Sequence, residues 1–246
     1  MATDLNKRYL GLGRAGTVDQ VEIDQALRAY MLKVFNIMGS GLLLSGIVAV
    51  VVAQSPSLMG MFFTQKLAPT GLGLVVMLAP IGLLLWMSFG FNRMSASLMQ
   101  ALYWVFTALF GISMAVLLHR YTGASVARAF FVTAATFGAM SLYGYTTKRD
   151  LTSLGSFLFM GLIGIMIAGI VNLFVMSSML HFVISVIGVL VFTGLTAFDT
   201  QRIKADFNEA DPAELQNKQA IMGAVGLYLN FVNLFQLILS LIGNRE

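Results

Sequence analysis

Seven long apolar stretches follow one another along the chain, each separated from the next by polar or charged residues. Each is close to the length of about 20 residues that an α-helix needs to cross roughly 30 Å of hydrocarbon. The pattern therefore predicts an all-α integral membrane protein with seven transmembrane helices. The predicted spans are Val34–Ala53, Gly71–Phe91, Leu98–Leu118, Ala129–Thr146, Leu154–Met176, Phe182–Thr200 and Ala220–Ile242.

The composition excludes a soluble globular domain. Hydrophobic residues make up 58% of the chain, charged residues make up 11%, and the mean hydropathy is +0.83. A soluble domain usually carries about 25% charged residues. So few charges cannot cover the surface of a folded chain of 246 residues in water, and the protein must be solvated by lipid.

The distribution of Lys and Arg predicts the orientation of the spans, because basic residues accumulate in cytoplasmic loops. With the N-terminus inside, eleven basic residues fall on the cytoplasmic side and four outside, which together are all 15 in the chain. The eleven are Lys7, Arg8, Arg14, Arg28, Lys33, Arg93, Lys148, Arg149, Arg202, Lys204 and Lys218, and the four are Lys66, Arg120, Arg128 and Arg245. The C-terminus is then outside, and the basic charge needs no nucleic acid to explain it.

The segment before the first span, residues 1–33, is polar and mixed in charge and does not resemble a cleaved signal peptide. Apolar residues between Val18 and Val34 follow a rough helical spacing. Two interpretations stay open: an amphipathic helix on the membrane surface and a mobile tail. We therefore divide the chain into a cytoplasmic N-terminal tail or amphipathic segment, residues 1–33, and a seven-helix transmembrane domain, residues 34–246.

The residue types give little support to an enzyme or a bound metal. The chain has no cysteine and only two histidines, His119 and His181, which lie far apart, so a zinc site and a Ser-His-Asp triad are poorly supported. An intramembrane aspartyl protease needs two aspartates at membrane depth, and no glycine-rich phosphate loop of the Walker type is present. We expect no enzymatic activity and no cofactor.

Asp199 is the acid that stands out, because it directly follows ten apolar residues, Val189–Phe198. An aspartate at the centre of a membrane helix costs about 2.5–3.5 kcal/mol on insertion scales, and less near the interface. Arg202 lies three residues further on and could form a helical ion pair with it. Asp199 is either a functional group at membrane depth or an ordinary anchor at a helix end, and we favour the functional interpretation.

The seventh span carries small and amide side chains on one face. With 100° per residue, its polar and glycine positions fall within a sector of about 140°. These positions are Gly223, Gly226, Asn230, Asn233, Gln236 and Ser240. The face either supplies hydrogen bonds between helices or lines a water-filled route, and both interpretations place this helix centrally.

Three segments resemble the signature stretches of the transmembrane Bax-inhibitor-motif family, and of its bacterial branch in particular. They are Gly138–Leu151, Gly194–Lys204 and Leu227–Phe235. The resemblance implies six helices around a central seventh and a calcium-permeable, pH-sensitive leak in the bacterial inner membrane. In the family, one acid on span six and one on span seven share a proton near the cytoplasmic side, and loss of that proton opens the path.

This chain departs from the family pattern at the proposed sensor. Asp199 matches the acid of span six, but Asn230 stands where the family usually has Asp, and Ser240 replaces an Arg that commonly follows. The second span contains no acid, although some members carry a Glu there. An amide offers no like charge that would make two carboxylates share a proton. We therefore expect a weaker or less pH-dependent leak than in other members.

Two functions follow from the resemblance. The first is a cation leak gated by Asp199, with Asn230, Asn233, Gln236 and Ser240 along the route, Arg202 as helical partner, and Ca²⁺ as a permeant ion that contacts Asp199 transiently. The second is a non-conducting regulator of membrane-protein quality control that contacts a membrane AAA protease through its tail. The bilayer is a partner in either case.

Overall fold

A computed structural model describes the backbone of residues 2–244 and the side chains of residues 24–244. Lys7, Arg8, Arg14 and Arg245, which entered the charge count, lie outside the described side chains. The described residues form eight α-helices: α1 (Ala2–Gln54), α2 (Pro56–Phe62), α3 (Gly71–Gly90), α4 (Ala96–Arg120), α5 (Gly123–Thr146), α6 (Thr152–Val175), α7 (Ser178–Ala205) and α8 (Ala213–Ile242). All except α2 contain a stretch long and apolar enough to cross a membrane, so the prediction of seven spanning helices is confirmed.

Several spanning helices extend beyond the predicted apolar stretches. In α1 the described side chains begin at Asp24, and Tyr30 and Met31, which precede the predicted start at Val34, are buried in the core. At the other end of the chain, α8 begins at Ala213, before the predicted Ala220. Polar residues at the ends of these helices make intramolecular contacts, which a count of apolar residues alone does not detect.

Consecutive spanning helices run in opposite directions, so their connections lie alternately on two sides of the bundle. We call the side on which the first span begins, at Asp24, the N-terminal side. The side on which α8 ends, at Ile242, is the C-terminal side. The α5–α6 connection and the polar loop before α8 lie on the N-terminal side, whereas the α4–α5 and α6–α7 connections lie on the C-terminal side.

The last helix, α8, is the core of the bundle. In its most apolar window 56% of the residues are buried, against at most 33% in any other span. It packs directly against α1, α4, α5 and α7, whereas α3 packs mainly on α4 and α6 on α7. Four of the six other spans therefore surround the central helix directly, and two form an outer layer.

Aromatic side chains fill the centre of this packing. Tyr228 of α8 is fully buried, and its ring makes edge-to-face contacts with Tyr103, Phe106 and Phe110 of α4 at centroid distances of 6.3, 5.6 and 5.7 Å. Such edge-to-face pairs are favourable because the positive ring edge meets the negative ring face. They fix α8 against α4 and set the rotation of the helix that carries Asn230.

Close backbone contact fixes α7 against α5. A Cβ atom added to Gly144 would lie 2.2 Å from the carbonyl oxygen of Ala197, so only glycine fits there. Small residues permit this approach between membrane helices. Two turns further along α7, Lys204 Nζ donates a 2.8 Å hydrogen bond to the carbonyl of Tyr145. These contacts set the position of Asp199, which lies between them in sequence.

Candidate functional site

Asp199 lies on the buried side of α7, with 6% of its surface exposed. The Nδ2 atom of Asn230 donates a 2.7 Å hydrogen bond to its Oδ2 atom. Asn230 is itself 5% exposed, so the bond joins α7 and α8 inside the protein. The structure thus brings together the two residues that the family resemblance assigns to the sensor.

The second carboxylate oxygen faces an arginine. Arg202 Nη2 lies 2.9 Å from Asp199 Oδ1, an ion pair between residues three apart on α7. Among the described residues no donor meets Oδ1 with hydrogen-bond geometry, so the contact is electrostatic in character. The Arg202 side chain is 46% exposed, and its guanidinium lies 5.7 Å from the centroid of the Phe198 ring. Arg202 therefore connects the buried carboxylate to the protein surface.

These two partners explain why a carboxylate is tolerated at this depth. A buried charge is strongly unfavourable unless it is paired and hydrogen-bonded. Asp199 has one partner for each oxygen, one from its own helix and one from α8. Removing either partner leaves a buried oxygen without compensation, so the contact between α7 and α8 depends on both.

A polar cleft of about 360 Å³ opens on the C-terminal side between α4, α6, α7 and α8. Asn233, Gln236 and Ser240 of α8 line it, together with His181. Ser240 Oγ lies 2.9 Å from the hydroxyl of Ser185 on α7. These three α8 residues of the predicted route therefore share one cleft.

A cleft of about 470 Å³, which we call the basic cleft after Lys148 and Arg202, lies on the N-terminal side beside the α5–α6 connection, and two acids, Asp150 and Asp206, also line it. Arg202 and Gln201 of α7 line it, as do Lys148 and Asp150. Gln201 ties this region together, because its side chain accepts a hydrogen bond from the backbone N–H of Leu151 and donates one to the carbonyl of Arg149. The basic cleft leads to the exposed end of the Arg202 side chain.

The pair Asp199–Asn230, which we call the polar layer, lines neither cleft. Asn233 lies one helical turn from Asn230 towards the polar cleft, a rise of about 4.5 Å. Its side chain donates to the carbonyl of Leu229 in its own helix, so it does not reach Asp199. On the other side, Arg202 lies one turn from Asp199 towards the basic cleft. Along α7 the polar layer therefore lies between the part of the helix that lines the polar cleft and the part that lines the basic cleft.

The residues of the polar face predicted on α8 differ in their exposure. Gln236 is exposed and Asn233 is half-buried, but Gly223 and Asn230 are buried. The opposite face, which includes Tyr228, is also buried, because α8 is surrounded on most sides. The polar face therefore opens only in the half of α8 that lies towards the C-terminal side.

A second polar cluster, which the sequence pattern did not single out, lies between α1, α4 and α8. The Ser45 hydroxyl lies 2.6 Å from the hydroxyl of Tyr228 and 2.7 Å from the carbonyl of Thr107. All three residues are buried. A serine inside an apolar stretch is the signal that could have indicated this cluster, but its partners are distant in sequence.

The described residues contain no group of three or more His, Cys, Asp or Glu side chains arranged to hold a metal ion. Around Asp199 the partners are an amide, whose oxygen can ligate a hard cation but carries no charge, and a guanidinium, which cannot ligate one. A calcium ion at Asp199 would therefore have to displace Arg202.

Comparison with known sequences agrees with the resemblance in the three segments. The sequence model of the family described as "Inhibitor of apoptosis-promoting Bax1" matches residues 27–246. The chain belongs to this Bax-inhibitor family. A Bax-inhibitor chain is expected to span a membrane, and the seven apolar helices agree with that.

Similar Bax-inhibitor relatives come from several bacteria. A protein of Rickettsia prowazekii is 48% identical over 223 residues, which cover 91% of this chain and 92% of the relative. A protein of Caulobacter vibrioides is 43% identical over 249 residues, covering 99% of each chain. The inner membrane protein YbhL of Escherichia coli is 42% identical over 222 residues, covering 89% of this chain and 93% of YbhL. The chain is an integral membrane protein, whereas its orientation stays a prediction.

Proposed function

We propose that this protein is a cation leak pathway, permeable to Ca²⁺, in the bacterial inner membrane and that the polar layer Asp199–Asn230 holds it closed. The N-terminal side, with its basic loops, faces the cytoplasm in this proposal. The observation that carries it is a buried carboxylate whose oxygens are held by Asn230 and Arg202 at 2.7 and 2.9 Å. Ionisable residues inside membrane proteins commonly mark ion or proton pathways.

The positions of the two clefts support the same proposal. The polar cleft approaches the layer from one side and the basic cleft from the other. Opening requires that α7 and α8 separate by enough to hydrate Asp199, which breaks its bond to Asn230. A cation then replaces the guanidinium of Arg202 as the partner of the carboxylate. Asn233, Gln236 and Ser240 supply oxygen atoms along the rest of the route.

The proposed leak has weak pH dependence. Two neighbouring carboxylates share a proton and respond jointly to pH, but Asn230 supplies an amide in place of the second acid. Protonation of Asp199 would still remove the charge that holds Arg202. The response then depends on one group alone, and it is shallower than that of a carboxyl pair.

Calcium flux into liposomes that contain only the purified protein tests the proposal. We expect measurable flux with the wild type and a changed rate with Asp199→Ala, because the substitution removes the group that holds the layer together. Asp150→Ala is the matched control, since Asp150 is an acid in the basic cleft that does not contact Asp199. Equal flux with wild type and Asp199→Ala would exclude the gating role.

A non-conducting role in membrane-protein quality control is the second candidate. The observation that favours it is that Asn230 takes the place of the second acid and that Asp199 is paired inside the protein with Asn230 and Arg202. Such a protein would act by contact, with a membrane AAA protease as partner and the N-terminal tail as the contacting segment. Absence of flux in liposomes, combined with retention of the protein on an immobilised AAA protease of this type, would favour this candidate.

A further inference from the structure

A lateral groove separates α1 from α5, although both helices pack on α8. It consists of two cavities that follow one another along the same pair of helices. The cavity towards the C-terminal side has a volume of about 400 Å³ and the one towards the N-terminal side about 470 Å³. We call them together the α1–α5 groove. It belongs neither to the polar layer nor to the two clefts beside it.

The groove runs along most of the span. On α1 its lining begins at Arg28 and ends at Val50, a distance of about 33 Å at 1.5 Å per residue. On α5 it extends from Gly123 to Tyr145. Within each cavity the lining positions follow one face of each helix, but no lining residue lies between Phe35 and Leu42 of α1 or between Phe131 and Phe137 of α5. This length matches the roughly 30 Å of hydrocarbon in a bilayer.

The wall of the groove is apolar and has space for an acyl chain. Phe231 and Phe235 of the central helix line the cavity on the C-terminal side. A Cβ atom added to Gly46 of α1 or to Gly138 of α5 would meet no heavy atom within 4 Å. These two glycines therefore face open space, and in a membrane such space is filled by lipid.

At the N-terminal end of the groove two polar side chains lack partners among the described residues, whereas Ser45, which lines the other cavity, is hydrogen-bonded to Thr107 and Tyr228. Arg28 lines the N-terminal end and is exposed, with no acidic side chain within ion-pair distance in residues 24–244. Ser141 lines the same cavity and is 6% exposed, and its hydroxyl makes no hydrogen bond within that part of the chain. A buried hydroxyl without a partner is unfavourable, so the site is incomplete as it stands.

The order of these groups matches the order of groups in a phospholipid. Arg28 lies near the start of the first span, where a phosphate resides, and arginine binds phosphate through charge-assisted hydrogen bonds. Ser141 lies about 6 Å deeper than Tyr145 along α5, where the ester carbonyl of the glycerol backbone could accept its hydroxyl proton. Below them the groove is apolar.

We propose that the α1–α5 groove binds one anionic phospholipid from the leaflet on the N-terminal side, with its phosphate at Arg28, an ester carbonyl at Ser141 and an acyl chain along α8. The lipid completes the hydrogen bonding of Ser141 and fills the space beside Gly46 and Gly138. It stays with the protein on extraction, whereas lipids on the smooth outer surface exchange freely.

Native mass spectrometry of the full-length protein in detergent tests this, with phosphatidylglycerol and phosphatidylcholine of equal chain length as probes. The wild type is expected to retain one phosphatidylglycerol in preference to phosphatidylcholine. Gly46→Leu and Gly138→Leu place a side chain in the open space and are expected to abolish retention. Gly164→Leu on α6 is the matched control, because a Cβ atom there also meets nothing within 4 Å but lies outside the groove.

A charge variant tests the headgroup contact separately. Arg28→Gln is expected to weaken retention of phosphatidylglycerol about fivefold, the effect of one basic side chain near an anionic lipid, without changing retention of phosphatidylcholine. Arg128→Gln, at the opposite end of α5, is expected to leave both unchanged. The proposal is overturned if the two groove variants retain as much lipid as Gly164→Leu, or if Arg28→Gln and Arg128→Gln behave alike. If a groove variant does not fold, as judged by circular dichroism, the comparison of the two arginine variants decides.

Discussion

Replacement of Asn230 by leucine removes the donor of the polar layer and keeps a side chain of the same branched shape, though a larger one. In the wild type the amide donates a 2.7 Å hydrogen bond to a carboxylate that is 6% exposed. A hydrogen bond to a charged group contributes about 1.5–3 kcal/mol, and a buried acceptor left without a donor is unfavourable by a similar amount. The substitution Asn230→Leu therefore destabilises the closed state by this amount, whereas it does not destabilise an open state in which water reaches Asp199.

The expected size of the effect follows from that difference. Each 1.4 kcal/mol is about a tenfold change in an equilibrium constant, so the open fraction should rise about tenfold to a hundredfold. Calcium influx into proteoliposomes loaded with a fluorescent indicator measures it, with the reconstituted amount of protein determined for each preparation. We expect the initial rate of Asn230→Leu to exceed that of the wild type by at least about tenfold.

Asn233→Leu is the matched control, since it lies one turn away on the same helix. Its amide donates to the carbonyl of Leu229 in its own helix, so its loss should leave the closed state intact, and because it removes an oxygen from the proposed route it should not raise the rate. If Asn230→Leu and Asn233→Leu give equal rates while both remain folded, the polar layer does not hold the route closed and the reasoning fails.

Three further predictions concern the same region. Asn230→Asp should restore a second carboxylate beside the first and make calcium flux depend on pH between about pH 5 and 8; a flat profile would contradict the explanation of the weak response. Gly144→Ala places a Cβ atom 2.2 Å from the Ala197 carbonyl oxygen, so it should displace α7 and lower the free energy of unfolding by about 1–3 kcal/mol, measured by urea unfolding in detergent. Hydrogen bonds from the Thr152 side chain and backbone lower the pKa of Asp150 in the folded protein. Ionised Asp150 therefore stabilises the fold at pH values above its pKa in the unfolded chain, near 3.9, and this stabilisation is lost as the pH falls through its lower pKa in the folded protein. Asp150→Asn should therefore show a smaller decrease in melting temperature on acidification than the wild type, and parallel curves would argue against this role.

Much of the architecture could be predicted from the sequence because a membrane leaves few choices for the backbone. An apolar stretch of about 20 residues must form a helix there, since each unpaired peptide group is strongly unfavourable in hydrocarbon. Helix ends were less predictable. Tyr30 and Met31 belong to the buried core, but they lie in the segment that was predicted to be either an amphipathic surface helix or a mobile tail.

The centre of the site was predictable in part. The apolar run before Asp199 indicated burial, and the spacing to Arg202 indicated an ion pair on one helix face. That Asn230 is the partner rested on the family resemblance, because hydrophobic periodicity does not give the register between two helices. The cluster of Ser45 and Tyr228 was missed for the same reason: its residues are 183 positions apart in the chain.

The central position of α8 has a consequence for biosynthesis. A ribosome makes α8 after the other six spans, so the helices that are to surround it enter the membrane before their common core exists. Until then Asp199 has only Arg202 as a partner, and Ser45 lacks the hydroxyl of Tyr228. A chain that stops before Ala213 retains these exposed polar groups in lipid. An unfinished chain therefore differs from a complete one in the polar groups that it exposes inside the membrane.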